Sequence, residues 1–600
     1  MKKRKLVRLI ALCLIALLII SACATNDDPA PTPPPADGQV TPPDTGNQGT
    51  PAAPGGWASR ETIDVTIGFM GVPTFGEYGY LNDPLTEMLN EMFNIRIYAI
   101  DARDESDWTT LFSGMVATGD IPDIFPAVDE SLRQLVEANA LLDINRYISS
   151  ELTPVFYSDN LFQTAALLRA AENGWGDSLF AVPLVKGTHD AGGPLVGDYI
   201  RWDLYAELGY PEVRTHNDLL DVLEQMQALR PTTHDGQRAY AVSAWWGDGM
   251  GWGDWTLMFY QYFNSERSPF WPHPFLNAMN KATLEIFPTN QLLDDNGVFW
   301  RAIDFYNQAH QRGILDPESF IQDFGAWAGK LENGQIYHVL PGWMPFEAQR
   351  AYDELGFPEW GFGHLSGVGS TVQSLIMSMT AGERIVSVNA NTEDPERIVA
   401  LLDYMSSYEF SRYAWNGIEG VYWEMINGLP SPKPEFNDPD ITEDTRKANS
   451  GAHIWNLMCG FGGATVDPAL GEMLWLRHHP ISVDETMSIV QRDILRHYGV
   501  DTLIDAYKQN LTVYTFINPY APPPYPDDLN FEQANLADFV FRNIFTVIRT
   551  NTPEDYAAAK AQFKNDLMQF RINDMFDFQY QALIGQQDFA QQVLDLFHGR

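Results

Sequence analysis

From about residue 61 the sequence predicts an α/β fold, and three observations carry that expectation. Apolar–polar alternation of strand type recurs along the chain, amphipathic helical spacing follows it, and the connections between the two are short. The first example is Thr62–Met70 (TIDVTIGFM), which alternates as a half-buried strand does. Asp83-Pro84 then provides an N-cap and a proline at the first helical position, followed by Leu85, Met88, Leu89 and Met92 on one face. Ile95–Ile100 is again strand-like. A second helix starts near Ser106, places Trp108, Leu111, Phe112 and Met115 inward, and stops at Gly119; Pro122–Pro126 leads into a third short strand. Strands joined by such crossovers lie parallel, because the right-handed crossover returns each strand in the same direction.

Further along, Asp177–Pro183 and Asp198–Trp202 read as strands, and helices follow at Asp203–Leu208 and Asn217–Leu229. Tyr240–Trp245 is a strand running into AWWGDGMGWGDW (244–255), which sets four tryptophans among glycines and aspartates. Asn296–Arg312 is helical, with Asp295 placed to cap it and Gly313 after its end. Gln335–Leu340 is a strand closed by Pro341-Gly342-Trp343, and Asp394-Pro395 opens a helix bearing Ile398, Leu401, Leu402 and Met405. Beyond about residue 480 the pattern is mostly helical, interrupted by Pro519–Pro526, through which no helix runs.

The N-terminus predicts where the protein resides. Lys2, Lys3, Arg4, Lys5 and Arg8 precede the unbroken apolar run Leu9–Ile20, the pattern of a secretory leader. About 12 apolar residues are too few to span a bilayer, which takes roughly 20. The run ends in Ile20-Ser21-Ala22-Cys23, which resembles a bacterial lipobox and implies acylation of Cys23 as the mature N-terminus. Stable attachment needs more than one acyl chain, which a diacylglyceryl-type anchor supplies. Residues 24–60, rich in Pro, Gly, Thr and Ala, bury too little to fold and read as a tether. At about 3.1 Å per residue in polyproline geometry its reach is on the order of 100 Å, less where glycine intervenes.

Formal net charge is −41, and loss of the five leader cations makes the mature chain about −46. So acidic a chain repels nucleic acid and anionic lipid headgroups. Of the three cysteines, Cys13 leaves with the leader, Cys23 is the lipid site and Cys459 stands alone, so a disulfide framework is excluded within one mature chain. Cys459 reads as a small buried apolar residue. His478-His479 lacks correctly spaced partners for zinc. Asp294-Asp295-Asn296-Gly297 lacks the remaining ligands of a calcium loop. No metal and no cofactor is expected, and no P-loop occurs.

Several short motifs stand in a telling order: WTTLFSGMVATGDIPDIF (108–125), EANALLDINRYI (137–148), GDSLFAVP (176–183), YIRWDLYAELGYP (199–211), RGILDPESF (312–320), EDPERIVALLDYMSSYE (393–409) and GIEGVYWE (417–424). Together, behind a lipobox, they resemble the family 1 extracellular solute-binding proteins, in particular the long lipoproteins that serve carbohydrate ABC importers in Gram-positive bacteria. The resemblance thins from about Met425 to Val540. It implies the two-lobed, type II periplasmic-binding-protein-like fold, with a ligand cleft between lobes and hinge strands near Ala181–Lys186 and Met377–Val388. Lobe closure by hinge bending suits that design. The implied division is a leader at 1–22, lipidated Cys and tether at 23–60, first lobe at 61–185, second lobe at 186–378, a return to the first at 379–430, and a mostly helical part shared between lobes at 431–600.

Sugars present C–H faces to aromatic rings and hydroxyls to carboxylates and amides. The resemblance therefore places Trp245, Trp246, Trp252 and Trp255 near ligand, although Trp245 and Trp246 diverge in a strand and Trp255 can open a core helix. Trp343 follows a strand where family members carry a cleft tryptophan; burial under Phe346 is the alternative. Loops after the first-lobe strands add Asp129 beside Glu130, and Glu77 with Tyr78. Asp129 can equally serve as a helix cap. The function implied is non-enzymatic capture of an oligosaccharide by a membrane-anchored extracellular monomer, which passes it to permease subunits driven by a separate ATPase. A surface glycan-active enzyme, needing two carboxylates roughly 5–10 Å apart, and a sensory or adhesive lipoprotein of the same fold are the alternatives. Peptides stay open as ligands.

Overall fold

The computed structural model describes residues 56–70, 78–102, 105–126, 129–184, 196–249, 253, 256–257, 266–269, 276–368, 372–374, 385–438, 440–463, 465–479, 487–509, 512–514 and 518–599. Cys23, the leader and most of the tether lie outside them, as do Glu77, Trp252 and Trp255. Everything described belongs to one compact unit, Thr50–Arg600. Among the described residues no helix is long and apolar enough to cross a membrane.

Strands in the first part of the chain are β1 Ile63–Phe69, β2 Tyr78–Tyr80, β3 Ile95–Asp101, β4 Ile124–Pro126, β5 Val182–Pro183, β6 Val196–Arg201 and β7 Tyr240–Val242. They are followed by β8 Arg267–Pro269, β9 Ala278–Asn280, β10 Ile336–Pro341, β11 Phe362–His364, β12 Val372–Ser374 and β13 Ile385–Val388. The first large sheet has the order β2-β3-β1-β4-β13-β5. As predicted, β1 runs parallel to both β3 and β4. The helices Pro84–Phe93 and Glu105–Thr118 lie in the connections that lead to β3 and β4. Asp83 caps the first of these through the amides of Leu85 and Thr86. Strand β13 returns antiparallel between β4 and β5, so the chain leaves this sheet through β5 and re-enters it through β13. Val65, Ile67, Ile97, Ile124, Val386, Leu401 and Leu402 are buried in its core.

The second sheet, β11-β6-β10-β7, pairs β10 parallel to β7 and antiparallel to β6. Its helices His216–Leu229 and Val298–Gln311 bury Leu219, Leu223, Phe299, Ile303 and Tyr306 in a separate core. Thr215 and Asp218 close the first of these helices with a capping box. Two sheets, each with its own core, make two α/β lobes.

After β13 the chain distributes itself over both lobes. Trp455, Met458 and Cys459 are buried in the first-lobe core, whereas Leu536, Val540, Ile544 and Phe563 of the helices Asp527–Ile548 and Pro553–Leu567 belong to the second. The last helix, Gln587–Phe597, sets Val593 against Leu168 of the first lobe and Ala590 against Met279 of the second. Residues 519–526 are non-helical.

Three local expectations are corrected. Leu111 is 37% exposed, because Trp108 and Phe112 stack at 5.2 Å and take the inner face. The predicted strand Asp177–Pro183 shortens to Val182–Pro183, since the amide of Leu179 bonds the Asp143 carboxylate and its carbonyl accepts from Ile144. Asp295 does not cap the helix that starts at Val298; Gly297 holds the cap position with no side-chain bond. The Asp295 carboxylate instead accepts from the Lys564 ammonium at 2.5 Å.

Lys281, in the turn after β9, is only 4% exposed. Burial pushes its ammonium down to about 7, with Glu266 opposing weakly. The unfolded chain then holds more protons than the folded one between about pH 7 and 10.5, so this lysine makes stability rise with pH across that window. Lys281→Met should raise the melting temperature most below pH 7. Its advantage over the parent should vanish toward pH 10.5, read as the difference between the two melting curves.

Candidate functional site

In open α/β sheets the ligand crevice lies outside the carboxyl ends of the strands. In the first lobe, β1 ends at Phe69, whose ring meets the edge of Trp455 at 4.8 Å, and the next amide, Met70, donates to Met458 Sδ at 3.4 Å. Tyr78 starts β2 and pairs with Ile100 through the backbone; its side chain lies outside the described atoms. After β4, Asp129 begins the helix Asp129–Glu137, and its side chain, like that of Glu130, is also outside the described atoms.

In the second lobe the carboxyl ends of β7 and β10 stand side by side. The segment after β7 is knitted to residues 316–327. Ser243 Oγ donates to Asp316 at 2.9 Å and the Ala244 amide to Ser319 Oγ at 3.0 Å. Gln322 Nε2 donates to the Ala244 carbonyl at 2.6 Å, and Trp327 Nε1 to the Ser243 carbonyl at 3.2 Å. The Asp248 carboxylate accepts from the Phe324 amide at 2.8 Å. These bonds turn the chain out of β7 after Val242, earlier than the predicted Trp245. Gly247 is required here, since a Cβ would lie 2.4 Å from the Ile321 carbonyl. Asp316 is fully buried and pairs with Lys330 at 2.7 Å. Burial pulls the Lys330 ammonium down, but bonds to Asp316 and Glu318 outweigh it and hold the group above its ordinary value.

Trp245 and Trp246 do diverge, and each enters a different core. Trp245 is fully buried against Trp327 at 4.5 Å and Phe324 at 5.3 Å. Trp246, 2% exposed, stacks on Phe545 at 5.0 Å and packs on Tyr306 and Phe320; its Nε1 donates to Thr256 Oγ1 at 3.0 Å. Both are expected near ligand, with at most one of them stacking on it; the side chains are corrected to core, since aromatic rings from distant parts of the chain surround both indoles. Trp343 differs. It follows β10, immediately precedes the helix Met344–Glu354, and is half-buried. It packs against the cluster that holds Trp245. Phe346, expected as its cover, is 57% exposed.

Cys459 is fully buried. His478 ends a short 3-10 turn, and no group of three or more His, Cys, Asp or Glu among the described residues is arranged to hold a metal.

No protein-family model matches the chain, and no curated protein matches its sequence. Solved structures do match its fold over nearly full length. The Streptococcus pneumoniae ABC-transporter substrate-binding protein FusA in complex with kestose is 13% identical, with a TM-score of 0.56 over 88% of this chain and 100% of that one. An HMO-binding, ABC-transporter-associated solute-binding protein from Bifidobacterium longum infantis is 12% identical, with a TM-score of 0.55 over 90% of this chain and 99% of that one. The S. pneumoniae N-glycan transport solute-binding protein NgtS is 13% identical, with a TM-score of 0.51 over 89% and 99%. The chain thus has the two-lobed α/β fold of these solved solute-binding proteins.

Proposed function

We propose that this chain is a non-enzymatic receptor that captures an oligosaccharide outside the cell and delivers it to an ABC importer. The observation that carries this reading is the full-length two-lobed fold with a half-buried tryptophan at a strand's carboxyl end, in a fold whose solved members include sugar complexes. Trp343 is the second-lobe side chain that stacks on a sugar ring. Asp129, Glu77 and Tyr78 supply polar and aromatic contacts from the first lobe, and Trp252 and Trp255 extend the second-lobe wall. With a net charge near −46 after leader removal, a neutral glycan suits the receptor better than an anionic one. Titration of the secreted chain (residues 24–600) with neutral oligosaccharides should show saturable binding with the sugar recovered intact. Release of shortened sugars would make it an enzyme instead.

Cys23 carries the lipid anchor, and the tether holds the monomeric globule away from the membrane, within reach of permease subunits. Cys23→Ser should move the protein from the membrane fraction into the culture medium, read by blotting both fractions. Retention in the membrane would point to a different attachment.

A further inference from the structure

Among the described residues nine tryptophans are closed to solvent: Trp57, Trp108, Trp202, Trp245, Trp246, Trp300, Trp327, Trp423 and Trp455. Trp415 and Trp475 are not; both are half-buried, and they face each other at 5.4 Å with 35° between ring planes. His453 stands edge-on to both, at 5.7 and 5.3 Å.

This trio has a defined place in the first lobe. Residues 451–461 cover the carboxyl end of β1 through the Met70–Met458 and Phe69–Trp455 contacts. They also cover the N-terminus of the helix Pro84–Phe93, where Trp455 Nε1 donates to Thr86 Oγ1 at 2.9 Å and Gly451 packs on Asp83 and Leu85. Trp415 is pinned to this segment, its Nε1 donating to the Phe461 carbonyl at 3.0 Å. Trp475 is pinned by its amide, which donates to the Gly463 carbonyl at 2.8 Å. Asn416 clamps the residues on either side, donating to Leu474 O at 2.7 Å and accepting from the Leu476 amide at 2.9 Å. Gly463 lets this backbone run against the indoles, since a Cβ there would lie 2.8 Å from Trp475 Cβ and 3.0 Å from Trp415 Cδ2. Charged groups border the rings: Glu443 holds His453 Nδ1 at 3.1 Å, and the Arg477 guanidinium stands 5.7 Å from the Trp475 ring centre.

Trp415, held through its ring N–H, and Trp475, held by its backbone and by packing on Trp415 and Gly463, need little further ordering when a ligand arrives, so they bind with a smaller entropic cost than mobile indoles. Flat aromatic faces bordered by a carboxylate and a guanidinium match the C–H face and hydroxyls of a neutral sugar ring. We propose that Trp415, Trp475 and His453 form a pre-built aromatic subsite that receives one terminal ring of the oligosaccharide, with Glu443 and Arg477 bonding its hydroxyls. This rests on the carbohydrate reading above and adds a first-lobe contact point remote in sequence from Trp343.

The test uses the secreted chain and three probes, kestose, maltoheptaose and lacto-N-tetraose, titrated calorimetrically into the parent and into Trp475→Ala, Trp415→Ala and Trp475→Phe. For whichever probe the parent binds, the alanine variants should lose about tenfold or more in affinity, about 1.4 kcal/mol per factor of ten. Trp475→Phe should recover most of that, and each ligand-free melting temperature should stay near the parent's. Unchanged affinity in both alanine variants, with the parent still binding, overturns the subsite and leaves the carbohydrate reading standing. A parent that binds none of the probes overturns both. Affinity lost only in step with a large fall in melting temperature, and not recovered by Trp475→Phe, assigns the trio to packing and overturns the subsite.

Discussion

Trp246→Ala should lower the ligand-free stability by about 3–5 kcal/mol, the range for deleting a large buried aromatic. Trp246 touches Tyr306 in one helix, Phe320 in a 3-10 turn and Phe545 in the C-terminal helix Asp527–Ile548. The cavity left by alanine would be lined from three directions, and none of the three elements can move in without leaving other partners. The Thr256 hydroxyl also loses the indole N–H that it accepts from. Trp246→Phe, which keeps a ring but not that donor, should lose less. Well below the melting transition, sugar affinity of the alanine variant should stay within about twofold, because a buried indole contributes through folding rather than contact. A normal melting curve with collapsed affinity would return Trp246 to the ligand site.

Trp343→Ala should show the opposite pattern. Its indole is half-buried on the edge of the cluster that holds Trp245, just past β10, so truncation removes surface and leaves little cavity. Melting should change by less than about 1 kcal/mol, as for substitutions away from a packed core. Affinity for the bound oligosaccharide should fall by about tenfold to a hundredfold, the scale of an aromatic hot spot. Calorimetric titration beside a melting curve separates the two effects. A stability loss comparable with that of Trp246→Ala, at unchanged affinity, would assign Trp343 to the core.

The contrast between the two tryptophans shows where sequence is informative. Asp83-Pro84 and Asp394-Pro395 open helices in the structure as their local chemistry implies, because caps act within one helical turn. The parallel order of β1, β3 and β4 was legible for a related reason: short crossovers leave few alternatives. The fate of Trp246 was not legible, since its main stacking partner, Phe545, lies some three hundred residues away. Asp295 failed as a cap in the same way, drawn off by Lys564 from the C-terminal helices. Trp245 and Trp246 do part into different cores, but they do so past the end of β7, where strand alternation no longer acts, and nothing local shows that both are covered.

Trp475 was missed because it lies where the resemblance thins, and Trp415 because it falls in the short gap between the motifs at 393–409 and 417–424. One local signal was present. Cys459–Gly463 (CGFGG) sets three glycines between Trp455 and Trp475, a composition like that of the segment after β7. In both places glycine allows backbone to approach indole or carbonyl closely. Composition alone does not say which indoles are sealed: Trp245 and Trp246 are, and Trp415 and Trp475 beside Gly463 are only half-buried.

Capture without turnover is the claim on which the rest depends, and native co-purification tests it most directly. The secreted chain is mixed with a library of neutral oligosaccharides, passed through size exclusion under native conditions, and the sugar eluting with it is identified by mass spectrometry. One intact oligosaccharide per protein is predicted, absent from a sample of Trp343→Ala treated in parallel. Shortened sugars, or retention of peptides from a matched digest with no sugar retained, would contradict it.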